Sequence, residues 1–252
     1  MIHFVGAGSG APDLITLRGL RLLERADLII YAGSLVNPEL LNYAKPGCHV
    51  LNSAEMTLDE VISEMRNAES RGFETVRLHT GDPCLYGAIR EQMDALEALG
   101  IEFDICPGVS SFCGAAAALK TEYTLPGVSQ SVIITRMAGK TSVPERESIA
   151  ELARHGATMV IFLSASMTGE LSSELISGGV SPDTPAAIVY KATWEDEKIV
   201  RGSVAELSEM AKASGISKTA LIVVGNCLGC DYELSKLYSA DFSTQFRQAK
   251  KK

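Results

Sequence analysis

The 252-residue chain has no run of roughly 18 apolar residues, which excludes a membrane-crossing helix. It opens on MIHFVGAG, without the basic start and long apolar stretch of a secretory leader. The expectation is a cytoplasmic protein. Positive charge is not in excess: 23 Lys and Arg against 31 Asp and Glu give a net charge of −8, which argues against nucleic acid or anionic lipid as a partner. Histidine is scarce, with His3 and His79 in strand-like runs and His49 and His155 at loop or helix ends. No Ser-His-Asp or Cys-His group can be assembled, so no catalytic residue is assigned. Of six cysteines only Cys227 and Cys230 are spaced C-x-x-C; with no second pair and no nearby histidine, no metal is expected.

What is present is an ordinary core-forming composition, 46% apolar and 21% charged, on a length that suits one large domain or two smaller ones. The first half alternates short apolar runs with helical periods. Strands are expected at IHFVGAG, 27–33, 74–82 and 101–108, and helices at 17–26, 57–71 and along Tyr86, Ile89, Met93 and Leu96. Thr57 and Glu60 form a T-x-x-E capping box. This rhythm predicts a mostly parallel sheet with helices on its faces over 1–119. The turn-rich KTEYTLPGVSQ (120–130) reads as a connection. Over 131–240 the strands 131–136, 158–163, 186–192, 197–202 and 219–226 include a hairpin-like pair, which predicts a second α/β domain with a mixed sheet. Ser203 and Glu206 repeat the capping-box pattern there. The basic end, 241–252, is expected to be disordered.

The stretch VGAGSGAPDLIT (5–16) carries Gly6, Gly8 and Ala11 in the G-x-G-x-x-G/A pattern of a dinucleotide turn. The context fails. Pro12 and Asp13 follow at once, the helical period begins only near Thr16, and the second strand ends in Tyr31-Ala32-Gly33-Ser34 with no carboxylate for a ribose. What remains is a turn whose main chain must approach something closely. Two other strand ends carry similar loops. HTGDPCLYG (79–87) offers Gly81 and Asp82, and CPGVSSFCG (106–114) offers Ser110 and Ser111. Three such loops predict one shared pocket.

With VGAGSGAPDLITLRG, TGDPCLYG, PGVSS and the later ATW and TALIVVG segments, the sequence resembles the tetrapyrrole methylase family. YAGSLV, LNSAEMTLDE, LPGVSQSVIITR and YKATWEDEKIVRG are similar to its branch that methylates C11 of precorrin-4 or cobalt-precorrin-4 in cobalamin synthesis. The resemblance implies S-adenosylmethionine as methyl donor, S-adenosylhomocysteine as product, a cofactor cleft between two α/β domains, a tetrapyrrole substrate and a homodimer. It implies cofactor contacts from Pro12, Gly81, Asp82, Ser110 and Ser111, and, from the second domain, Leu163, Ala192, Thr193 and Ala220. Gly8 and Ser9 would face the substrate. Its carboxylates call for basic rims, for which Arg136, Lys140 and Lys191 are the expected residues. Glu195, Asp196 and Glu197 are expected to face solvent or a subunit. Related uroporphyrinogen methylases carry G-R-G where this chain has Gly87-Ala88-Ile89, and T-H-R near Leu125-Pro126-Gly127, which argues against that substrate. The alternatives are methylation of another precorrin carbon, methylation of an RNA or protein target, or a noncatalytic module binding the same donor.

Overall fold

The computed structural model describes residues 1–229 and 231–250. The chain divides into two compact units: 1–118 together with 191–198, and 119–190 together with 199–252.

In the first unit, β1 (Ile2–Gly6), β2 (Leu28–Tyr31), β3 (His49–Asn52), β4 (Thr75–His79) and β5 (Phe103–Cys106) form an all-parallel sheet in the order β3-β2-β4-β1-β5. Period-two alternation sends Val5, Ile29, Val76 and Leu78 to one face, packed with Leu22 and Leu23 of α1 (Leu17–Arg25). Ile2, Phe4, Leu28 and Ile30 pack on the other with Val61 and Met65 of α2 (Leu58–Ser70) and Leu96 of α3 (Arg90–Ala98). Each such fully buried side chain contributes about 1.5–3 kcal/mol. Two polar groups share that second face. Arg77 donates from Nε to Gln92 Oε1 (3.1 Å) and from Nη1 to the Ile30 carbonyl (3.1 Å), while His79 stacks on Phe4 at 6.2 Å.

Helix starts follow local chemistry. Thr16 caps α1 by accepting from Gly19 N–H (3.1 Å). The Thr57–Glu60 box closes in both directions at the start of α2. α3 begins later than its apolar period suggests, because Tyr86 (φ 56°) and Ala88 (φ 49°) adopt left-handed backbone and Tyr86 stays 44% exposed. The edge strand β3 was not among the expected strands. α4 (Ser111–Leu119) starts directly at the predicted serine pair.

In the second unit, β6 (Val132–Arg136), β7 (Thr158–Phe162), β8 (Pro185–Tyr190), β9 (Lys198–Ser203) and β10 (Ala220–Val224) form a mixed sheet in the order β6-β7-β10-β8-β9. β6 and β7 are parallel, and β10 is antiparallel to both β7 and β8. Met159, Ile161, Ile188 and Ile222 pack against α5 (Ile149–Ala153), α6 (Thr168–Ser177) and α7 (Leu207–Ser214) through Ile149, Leu171, Leu175 and Leu207. β8 and β9 are neighbours, as the hairpin-like stretch suggests, but their connection, 191–198, belongs to the first unit. Toward the C-terminus Arg247 donates to the carbonyls of Leu237 (2.8 Å) and Ser239 (2.7 Å), so part of 241–250 folds back on preceding chain. Cys230 of the C-x-x-C pair, Lys251 and Lys252 lie outside the described residues.

Candidate functional site

β1 lies between β4 and β5, and its connection through α1 leads to β2, whereas β4 leads through α3 to β5. The chain therefore leaves these neighbouring strands toward opposite sides, the arrangement that opens a ligand crevice at the carboxyl ends of a parallel sheet. All three predicted loops sit at those ends. Gly8 N–H donates to Gly81 O (3.2 Å) and Gly81 N–H to Gly8 O (2.9 Å); Ala7 N–H donates to His79 O (2.7 Å). Asp82 ties the third loop in: its Oδ2 accepts from Gly108 N–H (2.9 Å) and its Oδ1 from Cys84 N–H (2.8 Å).

The glycines have two separate jobs. Gly81 (φ 61°) and Gly8 (φ 83°) supply left-handed backbone. Gly6 and Gly108 supply space for each other: a Cβ on Gly6 would lie 2.5 Å from Gly108 Cα, and one on Gly108 would overlap Gly81 O. At Gly6 and Gly108 the close approach is between the end of β1 and the loop after β5. Ser110 is buried and Ser111 half-buried at the α4 start, and Pro12 opens a short 3-10 turn, Pro12–Leu14.

The 191–198 segment joins the same unit. Thr193 Oγ1 accepts from Ala11 N–H (3.0 Å) and lies 3.1 Å from Ser9 Oγ, and a Cβ on Gly10 would overlap the Trp194 ring. Thr193 holds left-handed backbone (φ 70°), and its N–H donates to Glu197 Oε2 (2.6 Å). Ala192 and Thr193, assigned from sequence to the second domain, thus pack with the first unit, because Thr193 hydrogen-bonds into the glycine loop. Glu197, expected to face solvent or a subunit, instead anchors Thr193. Lys191 pairs with Asp196 (2.7 Å) and lies over the Trp194 ring at 5.1 Å.

In the second unit, Leu163 follows β7 with left-handed backbone (φ 53°) and is 65% exposed, while Thr219 (φ 54°) precedes Ala220 at the start of β10. A leucine held in that conformation and open to water is a feature concentrated at ligand sites. Arg136 donates to the carbonyls of Met137 (3.1 Å), Thr141 (3.2 Å) and Ser142 (2.8 Å). Its guanidinium shapes the loop on which Lys140 stands exposed. Sequence reasoning missed this use of Arg136, since backbone carbonyls leave no residue signature.

Electrostatics separates the three titratable groups near the loops. Burial raises the Asp82 pKa, but hydrogen bonds from Cys84 and Gly108 outweigh it and hold the carboxyl below the usual range. The Cys84 thiol is pushed up, first by donating to Asp82 and then by desolvation. His79 is driven down to about 3 by burial and by the Arg77 charge. It is a neutral core imidazole with Nε2 unpartnered, not a base aimed at a ligand.

The model for "Tetrapyrrole (Corrin/Porphyrin) Methylases" matches residues 1–208. The chain belongs to the tetrapyrrole methylase family. A relative from Methanocaldococcus jannaschii, a cobalt-precorrin-4 C(11)-methyltransferase, is 53% identical over 252 residues, 100% of this chain and 97% of its own. The crystal structure of a cobalt precorrin-4 methyltransferase superposes with a TM-score of 0.89 at 47% identity, covering 91% of this chain and 96% of that one. A uroporphyrin-III C-methyltransferase from Thermus thermophilus, complexed with S-adenosylhomocysteine, gives 0.76 at 26% identity over 90% of this chain and 93% of its own. Like other tetrapyrrole methylases, the chain combines a parallel N-terminal sheet with a mixed C-terminal one.

Proposed function

We propose that this chain transfers a methyl group from S-adenosylmethionine to C11 of cobalt-precorrin-4 in cobalamin synthesis, releasing S-adenosylhomocysteine. The 53% identity over the full chain to a relative of that name carries the reading. The three joined loops of the first unit support it.

The residues present fit the donor. Asp82 takes one backbone N–H on each oxygen and the Cys84 thiol besides, which leaves acceptor capacity for an ammonium or a ribose hydroxyl. Ser110, Ser111 and the main chain at Gly81 add small polar contacts, and Pro12, Ala192 and Thr193 supply compact walls. Leu163 and Ala220 enter the proposal through the family resemblance alone. The donor supplies an electrophilic methyl on sulfur, and an electron-rich ring carbon needs no strong base to attack it. The protein's part is to align the two and keep water out, which is worth about 7–11 kcal/mol of barrier. Gly8 and Ser9 face the acceptor in this reading. Lys140, on the loop that Arg136 holds, meets its carboxylates; Lys191, engaged by Asp196, contributes charge from a fixed position. A cytoplasmic homodimer completes the proposal.

Anoxic incubation with labelled donor and either cobalt-precorrin-4 or precorrin-4, followed by NMR of the product, tests the reading. One methyl at C11 of the cobalt form is expected. A methyl on another carbon, or none, overturns it; donor binding without any transfer favours the noncatalytic module. Calorimetry with Asp82→Ala should show donor affinity lowered about tenfold or more, the scale of a hydrogen bond to a charged group.

A further inference from the structure

The glycine-rich turn after β1 is clamped by residues far from it in sequence. Thr193 Oγ1 accepts from Ala11 N–H (3.0 Å), which leaves its own proton for Ser9 Oγ at 3.1 Å. Ser9 is buried, and Gly10 sits against the Trp194 ring. The Gly10 carbonyl accepts from Asn37 Nδ2 (3.0 Å), in the loop after β2. Of these bonds Thr193 supplies both that reach Ser9 and Ala11.

The grip has a conformational cost. Lys191 (φ 46°) and Thr193 (φ 70°) both hold left-handed backbone, and Thr193 is β-branched, the class that tolerates it least. Such residues persist only where their surroundings over-determine them, and they cluster at functional sites. Here the surroundings are identifiable. Trp194 N–H donates to Lys191 O (3.0 Å) and Glu197 N–H to Trp194 O (3.1 Å), which closes the segment into a turn. Lys191 Nζ is paired with Asp196 (2.7 Å). Thr193 N–H donates to Glu197 Oε2 at 2.6 Å, a short bond to a charged acceptor. Glu197 is half-buried and holds the strained residue by its own main chain. Without that bond the Thr193 N–H loses its acceptor, and the backbone is free to relax to the negative φ that threonine prefers, which turns the hydroxyl away from Ala11 and Ser9.

We propose that Glu197 is a positioning residue for methyl transfer: through Thr193 it sets the Gly8–Ala11 turn against the acceptor. This role rests on the methyltransferase reading, in which Gly8 and Ser9 face the acceptor. It divides the work between two bracing systems. The Asp82 bonds that tie the loops after β4 and β5 contain no atom of the Thr193 clamp. Donor affinity therefore depends little on Glu197, whereas alignment of the acceptor depends on it strongly.

The test is anoxic methylation of cobalt-precorrin-4 by the full-length protein, with donor calorimetry and melting temperature on the same samples. Glu197→Ala should lower kcat about tenfold to a hundredfold. Donor Kd should stay within about threefold of the wild type. Glu197→Gln keeps a carbonyl oxygen for the Thr193 N–H and should restore most of the lost kcat. Thr193→Val keeps the β-branch, removes the hydroxyl, and should lose as much kcat as Glu197→Ala. The double variant should lose no more than either single one, because both break the same path. An unchanged kcat in Glu197→Ala or in Thr193→Val, multiplied losses in the double variant, or a donor Kd that worsens as much as kcat falls overturns the assignment. If Glu197→Ala does not fold, Thr193→Val and Glu197→Gln decide by the same criteria. A wild type that transfers no methyl defeats the methyltransferase reading itself, whereas an active wild type with indifferent variants defeats only the role of Glu197.

Discussion

His79 is 4% exposed at the end of β4, its Nε2 meets no partner, and its pKa falls to about 3 because the site is dry and Arg77 is close. An unfolded histidine titrates near ~6.5. Between those values the unfolded chain binds a proton that the native chain refuses, so stability rises with pH across that window. The slope approaches about 1.4 kcal/mol per pH unit. His79→Leu should flatten it, read as the pH dependence of the urea midpoint from pH 6.5 down to 4; an unchanged slope would mean the imidazole titrates normally in the fold. At this scale much was legible. A histidine in an apolar strand run reads as a core residue, and Asp82 after a glycine reads as an oriented acceptor. Arg136 was not legible, because its partners are main-chain carbonyls of a loop whose course no side chain announces.

At the scale of elements, three strand ends act as one part. The loops after β1, β4 and β5 are joined by the paired Gly8 and Gly81 bonds and by the carboxylate of Asp82. Gly108→Ala places a methyl against Gly81 O and Gly6 Cα, all backbone, so the strain cannot be relieved by a rotamer change. A loss of about 1–3 kcal/mol in denaturant unfolding is expected, together with weaker donor binding. If stability and binding both survive, the loops are not mutually braced. Helix starts with a capping box, at Thr57 and Ser203, were readable because cap and helix are adjacent in sequence. β3 was not, since it lies at the sheet edge with His49 and Val50 exposed and shows no apolar run. The start of α3 was not either, because nothing in Tyr86 or Ala88 forecasts left-handed backbone.

For the whole molecule, the parallel-then-mixed order of the two sheets followed from the strand rhythm. The allegiance of 191–198 did not, because Thr193 finds Ser9 at a sequence separation of 184 residues and no local pattern spans that distance. This segment also carries the only tryptophan in the sequence, Trp194. Residues 119–252 prepared alone keep Trp194 but lose Gly10 and Ala11, against which its segment packs. Tryptophan emission should therefore move to the water-exposed wavelength in that fragment and stay blue-shifted in the full chain. Identical spectra would place Trp194 in an environment supplied by the second unit.

Because Gly6, Gly8, Gly81 and Gly108 meet through main-chain atoms, the bracing among those strand ends carries almost no side-chain vocabulary of its own. Mutation can repaint the lining around it while that framework stays in register. In the proposed function, descendants of one ancestor can thus redirect the same methyl gift to a new acceptor by small exchanges at the periphery, leaving the framework assigned to the donor untouched.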